Sequence, residues 1–427
     1  MKVKLHTLGC KVNQYETESI TEDLIKNGFQ ITLSDDDADV FIVNSCTVTS
    51  ESDRKTRQTV RRLKHKNENS IVILTGCMPQ AFPDMAESLC EADIVIGNKN
   101  NKEIVPKLNK YLSEHQRTVN IEQHEAGEPF YCSPISGFNE RTRAIVKIED
   151  GCDRFCSYCI IPKARGRVRS KPLSAIFSEV EQLSKAGFRE VVLVGINLSA
   201  YGKDTGDKFY DAVRTAASVD GIKRVRLGSL EPDHLTDEVI ENLSKIEELC
   251  PQFHISLQSG SDSTLRHMNR HYTADEYYTL SKKLRETFKD CTITTDIMVG
   301  FPSETEDDFK NTVEFAKKVG FEKIHVFPYS VRSGTKAASM IPQVDKHTKE
   351  NRAASLSIEG AKIRRDFLKS QIGKTAEIIV ESKGDGEYVF GYTANYTPVM
   401  AKQKNYNIGD FAEVKIVSSD EEYCYSD

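Results

Sequence analysis

Gly151-Cys152-Asp153-Arg154-Phe155-Cys156-Ser157-Tyr158-Cys159 sets three thiols in one short stretch with C-x3-C-x2-C spacing. A structural zinc site closes tetrahedrally with four ligands, usually as two separated pairs. Three thiolates without a nearby fourth suit an iron–sulfur cube instead, gripped at three corners with one iron open to an exogenous ligand. A zinc knuckle, or three buried thiols, is the plainer alternative.

Working outward, the stretch follows the β-like run 144–148. Further runs of this kind lie at 191–194, 225–227, 254–257, 293–299 and 324–327, separated by helical patterns at 174–186, 209–218, 236–248, 274–288 and 306–319. Six βα units predict an incomplete parallel barrel, with active residues on the loops after the strands. The thiol stretch occupies the first such loop. A basic helical stretch, 346–369, closes the unit.

The first 125 residues form a second α/β series, with strands expected at 3–8, 40–44, 71–75 and 93–96 and helices near 14–27, 51–66 and 80–90. Cys10, Cys46 and Cys77 each fall just past the carboxyl end of a different strand, the edge where open parallel sheets bind ligands. Alone, each would read as a buried structural thiol. The repeated contexts Leu-Gly-Cys, Asn-Ser-Cys and Thr-Gly-Cys argue that the three converge. The polar segment 116–140 reads as a linker, and residues from 371 onward switch to short strands (376–381, 388–393, 397–401, 411–417) with Gly and Asn turns, the pattern of a small antiparallel barrel. The expected division is 1–125, a linker at 126–140, 141–370 and 371–427.

Apolar content of 38% and charged content of 29% describe a globular chain rather than a disordered one. No apolar run approaches the length of about 18 residues that a membrane helix needs. The start reads at once as a strand without a signal-like apolar core, so a cytoplasmic location is expected. The eleven cysteines show no secreted-type pairing; Cys90, Cys132, Cys250, Cys291 and Cys424 have no partner pattern and read as ordinary thiols. His254 and His325 sit in strands and read as satisfied core residues. The net charge of −6 hides local excesses: 54–66 has seven Lys/Arg and no acid, and 141–170 and 332–370 are also basic, whereas 371–427 is acidic. Basic runs beside cysteine motifs point toward an anionic polymer.

Long motifs then carry a family resemblance: Thr7-Leu-Gly-Cys10-Lys-Val-Asn13-Gln14, Val43-Asn-Ser-Cys46-Thr-Val48, Leu74-Thr-Gly-Cys77, Ile160-Ile-Pro-Lys-Ala-Arg165-Gly-Arg167, Ser256-Leu-Gln-Ser-Gly260-Ser-Asp262, Asp296-Ile-Met-Val-Gly300-Phe-Pro302 and Phe327-Pro-Tyr-Ser-Val-Arg332-Ser-Gly-Thr335. Together they resemble the methylthiotransferase family of radical S-adenosylmethionine (SAM) enzymes over nearly the whole chain. The resemblance implies an N-terminal open parallel α/β domain, a central partial (β/α)6 radical SAM barrel and a C-terminal antiparallel TRAM β-barrel. It implies two [4Fe–4S] clusters, on Cys152, Cys156 and Cys159 and on Cys10, Cys46 and Cys77, with SAM as both radical source and methyl donor.

The stretch 9–18 and Gly391-Tyr-Thr-Ala-Asn-Tyr396 look most like the branch that methylthiolates N6-threonylcarbamoyladenosine at position 37 of tRNA. The alternatives are isopentenyladenosine 37 or a ribosomal-protein aspartate. Two departures stand out: the terminal barrel is short and acidic, and Ser303 stands where the motif more often has glycine. Candidate SAM contacts on the barrel loops are Gly195, Asn197, Ser229, Glu231, Gln258, Gly260, Asp296, Gly300 and Arg332. Arg61, Arg62, Arg165, Arg167 and Arg169 are candidate contacts to anticodon-loop phosphates. The chemistry also calls for a flavodoxin- or ferredoxin-like electron donor; the sulfur donor is not legible.

Overall fold

A computed structural model describes residues 1–131, 133–135, 137, 142–384 and 386–427. Five of the expected linker residues (Cys132, Ser136, Phe138, Asn139 and Glu140), Arg141 and the turn residue Asp385 lie outside them. The first sheet has six strands, β1 (Lys2–Thr7), β2 (Gln30–Ile31), β3 (Val40–Ser45), β4 (Ile71–Gly76), β5 (Ile94–Ile96) and β6 (Thr118–Asn120), all paired in parallel in the order β2-β1-β3-β4-β5-β6. Alternation along β3 sends Val40 and Ile42 to one apolar layer with Ile20, Leu24 and Leu108. Phe41 and Val43 go to the other with Val60, Leu63 and Met78. Burial on both faces explains why these strands read as unbroken apolar runs. β6 falls inside the segment expected to be linker. The expected helix at 80–90 is instead two short ones, Cys77–Ala81 and Pro83–Glu87, because Pro83 cannot continue the first. Helix Ile104–Glu114 was not legible.

Register decides where the dispersed cysteines go. Thr7 pairs with Asn44, and Asn44 and Ser45 pair with Thr75 and Gly76. The carboxyl ends of β1, β3 and β4 are therefore level, and Cys10, Cys46 and Cys77 leave the sheet along one edge.

The second unit holds β7 (Arg143–Lys147), β8 (Glu149–Asp150), β9 (Arg169–Ser170), β10 (Glu190–Val194), β11 (Arg224–Leu227), β12 (Ser229–Leu230), β13 (Gln252–Ile255), β14 (Thr292–Val299) and β15 (Lys323–Pro328). Its parallel strands form two arcs, β11-β10-β7 and β12-β13-β14-β15, broken at Gly228. Phe253, Ile255, Ile293 and Ile297 face the surrounding helices in the main core. The opposite face of the second arc is polar and lines the lumen. Helix Lys11–Lys26 packs on this unit: Val12 and Tyr15 join its core, and the Tyr15 hydroxyl donates to Glu179 at 2.7 Å.

The third unit is a closed barrel, β16 (Thr375–Lys383), β17 (Tyr388–Thr393), β18 (Pro398–Lys402), β19 (Phe411–Ser419) and β20 (Cys424–Ser426), in the order β16-β17-β18-β20-β19. One of its pairs, β18 with β20, is parallel rather than antiparallel. Arg226 donates to the carbonyls of Thr393 and Ala394, and the Thr292 hydroxyl to that of Asn395 at 2.7 Å, so this barrel seals the amino-terminal end of the lumen.

Candidate functional site

The loop carrying Cys152, Cys156 and Cys159 is drawn tight by local geometry. Gly151 has φ +85°, and a Cβ there would stand 1.9 Å from the Arg167 carbonyl, so only glycine lets the loop close on the segment leading into β9. Cys159 N–H donates to the Cys156 carbonyl at 3.0 Å, and Ser157 anchors to Met268 and His267. Arg270 donates to Cys156 Sγ at 3.3 Å while paired with Glu231, and Asn197 approaches Cys152 Sγ at 3.7 Å. Burial pushes the Cys152 thiol up to about 12. Only a strongly cationic centre would hold it as a thiolate.

Cys10, Cys46 and Cys77 are gathered by packing. A Cβ on Gly9 would stand 2.8 Å from Cys46 Cβ, so the turn before Cys10 lies directly on Cys46. Burial pushes Cys77 up to about 12, with the charges of Cys46 and Cys10 adding to the effect, as thiols near one another require. Cys10 Sγ donates to Asn13 Oδ1 at 3.3 Å. Arg165 Nε donates to Cys77 Sγ at 3.1 Å, and its guanidinium also pairs with Glu16 and meets Asn13 Oδ1 at 3.1 Å. Lys147 joins from β7, 2.8 Å from Glu16 and 2.7 Å from Asp150.

Each set offers three thiols with a buried arginine donating to one of them, a donor chemistry that suits a cluster held by three thiolates. Among the described residues no three Cys, His, Asp or Glu side chains are placed to hold a metal ion. Beside Cys152, the fully buried Glu149 Oε1 and Asn197 Oδ1 have no hydrogen-bond partner, and such orphaned groups favour a polar ligand there. Burial holds the Glu149 carboxyl well above its ordinary range, against the backbone N–H of Asn197.

The candidate SAM contacts separate into groups. Asn197 and Glu231 lie at the loop cysteines, and Gly195 backs onto Glu149. Gln258, at φ +66°, is tied to Asp296 and Met298 through its backbone. Ser229 and Asp296 line the lumen together with Cys10. Of the other three candidates, Arg332 is the one whose side chain is committed elsewhere. Gly260 packs against Thr312 and Phe315, Gly300 against Lys349. Arg332 is buried between units, 2.8 Å from both Asp53 and Thr47.

Two candidate phosphate contacts are corrected as well. Arg165 is 1% exposed and committed to Glu16 and Cys77, and Arg169 is buried against Asp150. Arg167 is exposed and stacks over Phe155 at 4.8 Å; Arg61 and Arg62 are exposed and paired with Glu91 and Asp35. Sequence reasoning missed Asn13, Glu16, Glu149 and Arg270, each of which needs a distant partner to acquire its role. His254 and His325 are not core residues: both stand on the lumen wall.

Comparisons with known proteins agree with this architecture. Residues 146–316 match the Radical SAM superfamily, 369–427 the TRAM domain, and 2–97 a group described as Uncharacterized protein family UPF0004. The chain is 38% identical to the threonylcarbamoyladenosine tRNA methylthiotransferase MtaB of Thermotoga maritima, over 98% of this chain and 95% of that protein. It is 34% identical to a tRNA-2-methylthio-N(6)-dimethylallyladenosine synthase of Caldicellulosiruptor saccharolyticus, over 99% and 91%. In fold it resembles TsrM, a radical S-adenosylmethionine methyltransferase of Kitasatospora setae solved with cobalamin and a [4Fe–4S] cluster, at TM-score 0.57 and 15% identity, covering 79% of this chain and 77% of that one.

Proposed function

The chain belongs to the radical SAM methylthiotransferase family, and on that premise we propose that it converts N6-threonylcarbamoyladenosine 37 of tRNA to its 2-methylthio derivative. The observation that carries this reading is the junction that joins the helix starting at Cys77 to the residues following the loop trio. Cys77 and Ala81 pack directly against Ile160 and Ala164, the residues that follow the C-x3-C-x2-C loop. Cys152, Cys156 and Cys159 would hold one [4Fe–4S] cluster, and Cys10, Cys46 and Cys77 a second. When bound, the first supplies the electron that cleaves SAM reductively and the second supplies sulfur, chemistry that no side chain of the protein can perform. The chain's own part is to position and to exclude water. Asn197 offers an acceptor and Glu149 a free carboxyl oxygen beside Cys152, Glu231 fixes Arg270 against Cys156, and Ser229 and Asp296 face the lumen that Cys10 also lines.

The proposal keeps the division at 1–125, 141–370 and 371–427. It gives the exposed Arg61, Arg62 and Arg167 to anticodon-loop phosphates, and it places the reaction in the cytoplasm with a flavodoxin- or ferredoxin-like reductant. No helix among the described residues is long and apolar enough to cross a membrane. Mass spectrometry of tRNA nucleosides from a deletion strain tests the substrate: 2-methylthio-threonylcarbamoyladenosine disappears, and its persistence at normal level rejects the reading. Iron analysis after anaerobic reconstitution tests the clusters, with about eight irons falling to about four when Cys10, Cys46 and Cys77 are all replaced by Ala.

A further inference from the structure

Between the second arc, the Cys10 turn and the terminal barrel lies a cavity of ≈ 660 Å³ whose wall includes Cys10, Ser229, His254, Asp296, Lys323 and His325. Small-molecule sites of this volume are usually mostly apolar with a few polar anchors; this one is polar along a whole arc. His254 stands 2.9 Å from the Thr294 hydroxyl through Nδ1 and 3.2 Å from Asp296 through Nε2, and its ring lies 5.9 Å from that of His325. Arg226 and Arg364 also reach the cavity, but each is paired, with Glu190 and Glu322. Lys323 makes no ion pair among the described residues, and its charge bears on the neighbouring His325. The far end is closed by Tyr392 and Tyr396, stacked at 4.3 Å.

We propose that this wall is the subsite for the N6 side chain of the acceptor adenosine, with Lys323 and His325 meeting a carboxylate and Asp296 accepting from a hydroxyl. The proposal rests on the reading of threonylcarbamoyladenosine as substrate and names how that substrate is selected. A threonylcarbamoyl group carries a carboxylate, a hydroxyl and ureido N–H donors, which satisfy this wall. A dimethylallyl group in the same place would bury it unpaired. Sites built to hydrogen-bond a polar group reject the analogue lacking it far more strongly than apolar pockets reject a larger one. Seating the side chain on β13–β15 leaves the purine on the side of the cavity that Cys10 lines, where sulfur is to be delivered.

The test is a binding ratio, read on reconstituted full-length protein. Three anticodon stem–loop RNAs are compared by fluorescence anisotropy: one with threonylcarbamoyladenosine 37, one with its carboxylate converted to the methylamide, and one with isopentenyladenosine 37. The wild-type protein is expected to prefer the acid over the amide by roughly 10- to 100-fold, the range of a charge-assisted hydrogen bond. Lys323→Ala should bring that ratio close to one, and Lys323→Arg should keep it. A wild-type ratio near one, or an undiminished ratio in Lys323→Ala, overturns the subsite. Should Lys323→Ala bind neither RNA, His325→Asn carries the same test, and an undiminished ratio there overturns it equally. Tighter wild-type binding of the isopentenyladenosine loop rejects the substrate reading itself, a result separate from the acid-to-amide ratio.

Discussion

The two thiol trios are built in opposite ways. Cys152, Cys156 and Cys159 share one loop, so chain connectivity gathers them and a single glycine sets the curvature. Cys10, Cys46 and Cys77 come from three strand ends and meet only because β1, β3 and β4 pair in register. A one-residue slip of any of these strands would turn its side chains to the other face and scatter the set. Yet both trios receive the same finishing touch, a buried arginine donating to a thiol: Arg270 to Cys156 and Arg165 to Cys77. A local trio depends on its loop, whereas a dispersed one depends on the fold and on the junction that holds the two units together.

The largest expected effects separate the trios by role. Cys156→Ala should lower 5′-deoxyadenosine production to background in the anaerobic reductive assay, with the methylthiolated product lost as well. Cys46→Ala should keep 5′-deoxyadenosine and lose only the product. If Cys46→Ala also abolishes 5′-deoxyadenosine, the two sets do not divide the labour.

Next come the arginines. Arg165→Ala leaves Glu16 buried beside Asp150 with one cation fewer, and breaking a buried pair in this way costs roughly 3–5 kcal/mol. A large fall in thermal midpoint is expected, together with loss of about half the bound iron on reconstitution. Arg167→Ala, two residues away and exposed, should leave the midpoint within a degree or two. Its signature is a reduction of about one in the salt-dependence slope of tRNA binding. A stable Arg165→Ala protein with full iron would mean that the dispersed trio does not need its arginine.

That pair of arginines also marks where the sequence stopped being legible. The parallel series, the barrel, both trios and the terminal barrel follow from periodicity and from cysteines placed after strands. The motif Ala164-Arg165-Gly166-Arg167 reads as one basic run because alternating cations on a chain look alike. What sends Arg165 inward and Arg167 outward is the turn at Gly166, with φ +70°, and the packing of helix Ile161–Arg165 on helix Cys77–Ala81. Both are tertiary facts. Glu16, Glu149 and Arg270 were invisible for the same reason: each sits in an ordinary helical or extended pattern and gains its role from a partner more than forty positions away. His254 and His325 were misread because strand periodicity gives two faces and does not say which one is the lumen.

The smallest effect turns on two buried carboxyls. Burial alone would raise Glu16, but Arg165 and Lys147 together hold it below its ordinary 4.5. Burial dominates at Glu149, where Lys147 and Arg169 pull the other way without offsetting it, and its carboxyl is raised well above 4.5. The linkage signs are therefore opposite. Glu16 contributes stability that is present above about pH 4.5 and lost as pH falls through its native value. Glu149 contributes stability that is present below about 4.5 and lost as pH rises through its own, at up to about 1.4 kcal/mol per pH unit for one proton. Glu149→Gln carries no titrating proton and should flatten the fall of the thermal midpoint as pH rises above 4.5, leaving the loss below 4.5 unchanged; both limbs are read by calorimetry on the protein before reconstitution. An unchanged alkaline limb would place an ionised carboxylate beside Cys152. The contrast between a raised carboxyl at the loop trio and a depressed one at the dispersed trio would then disappear.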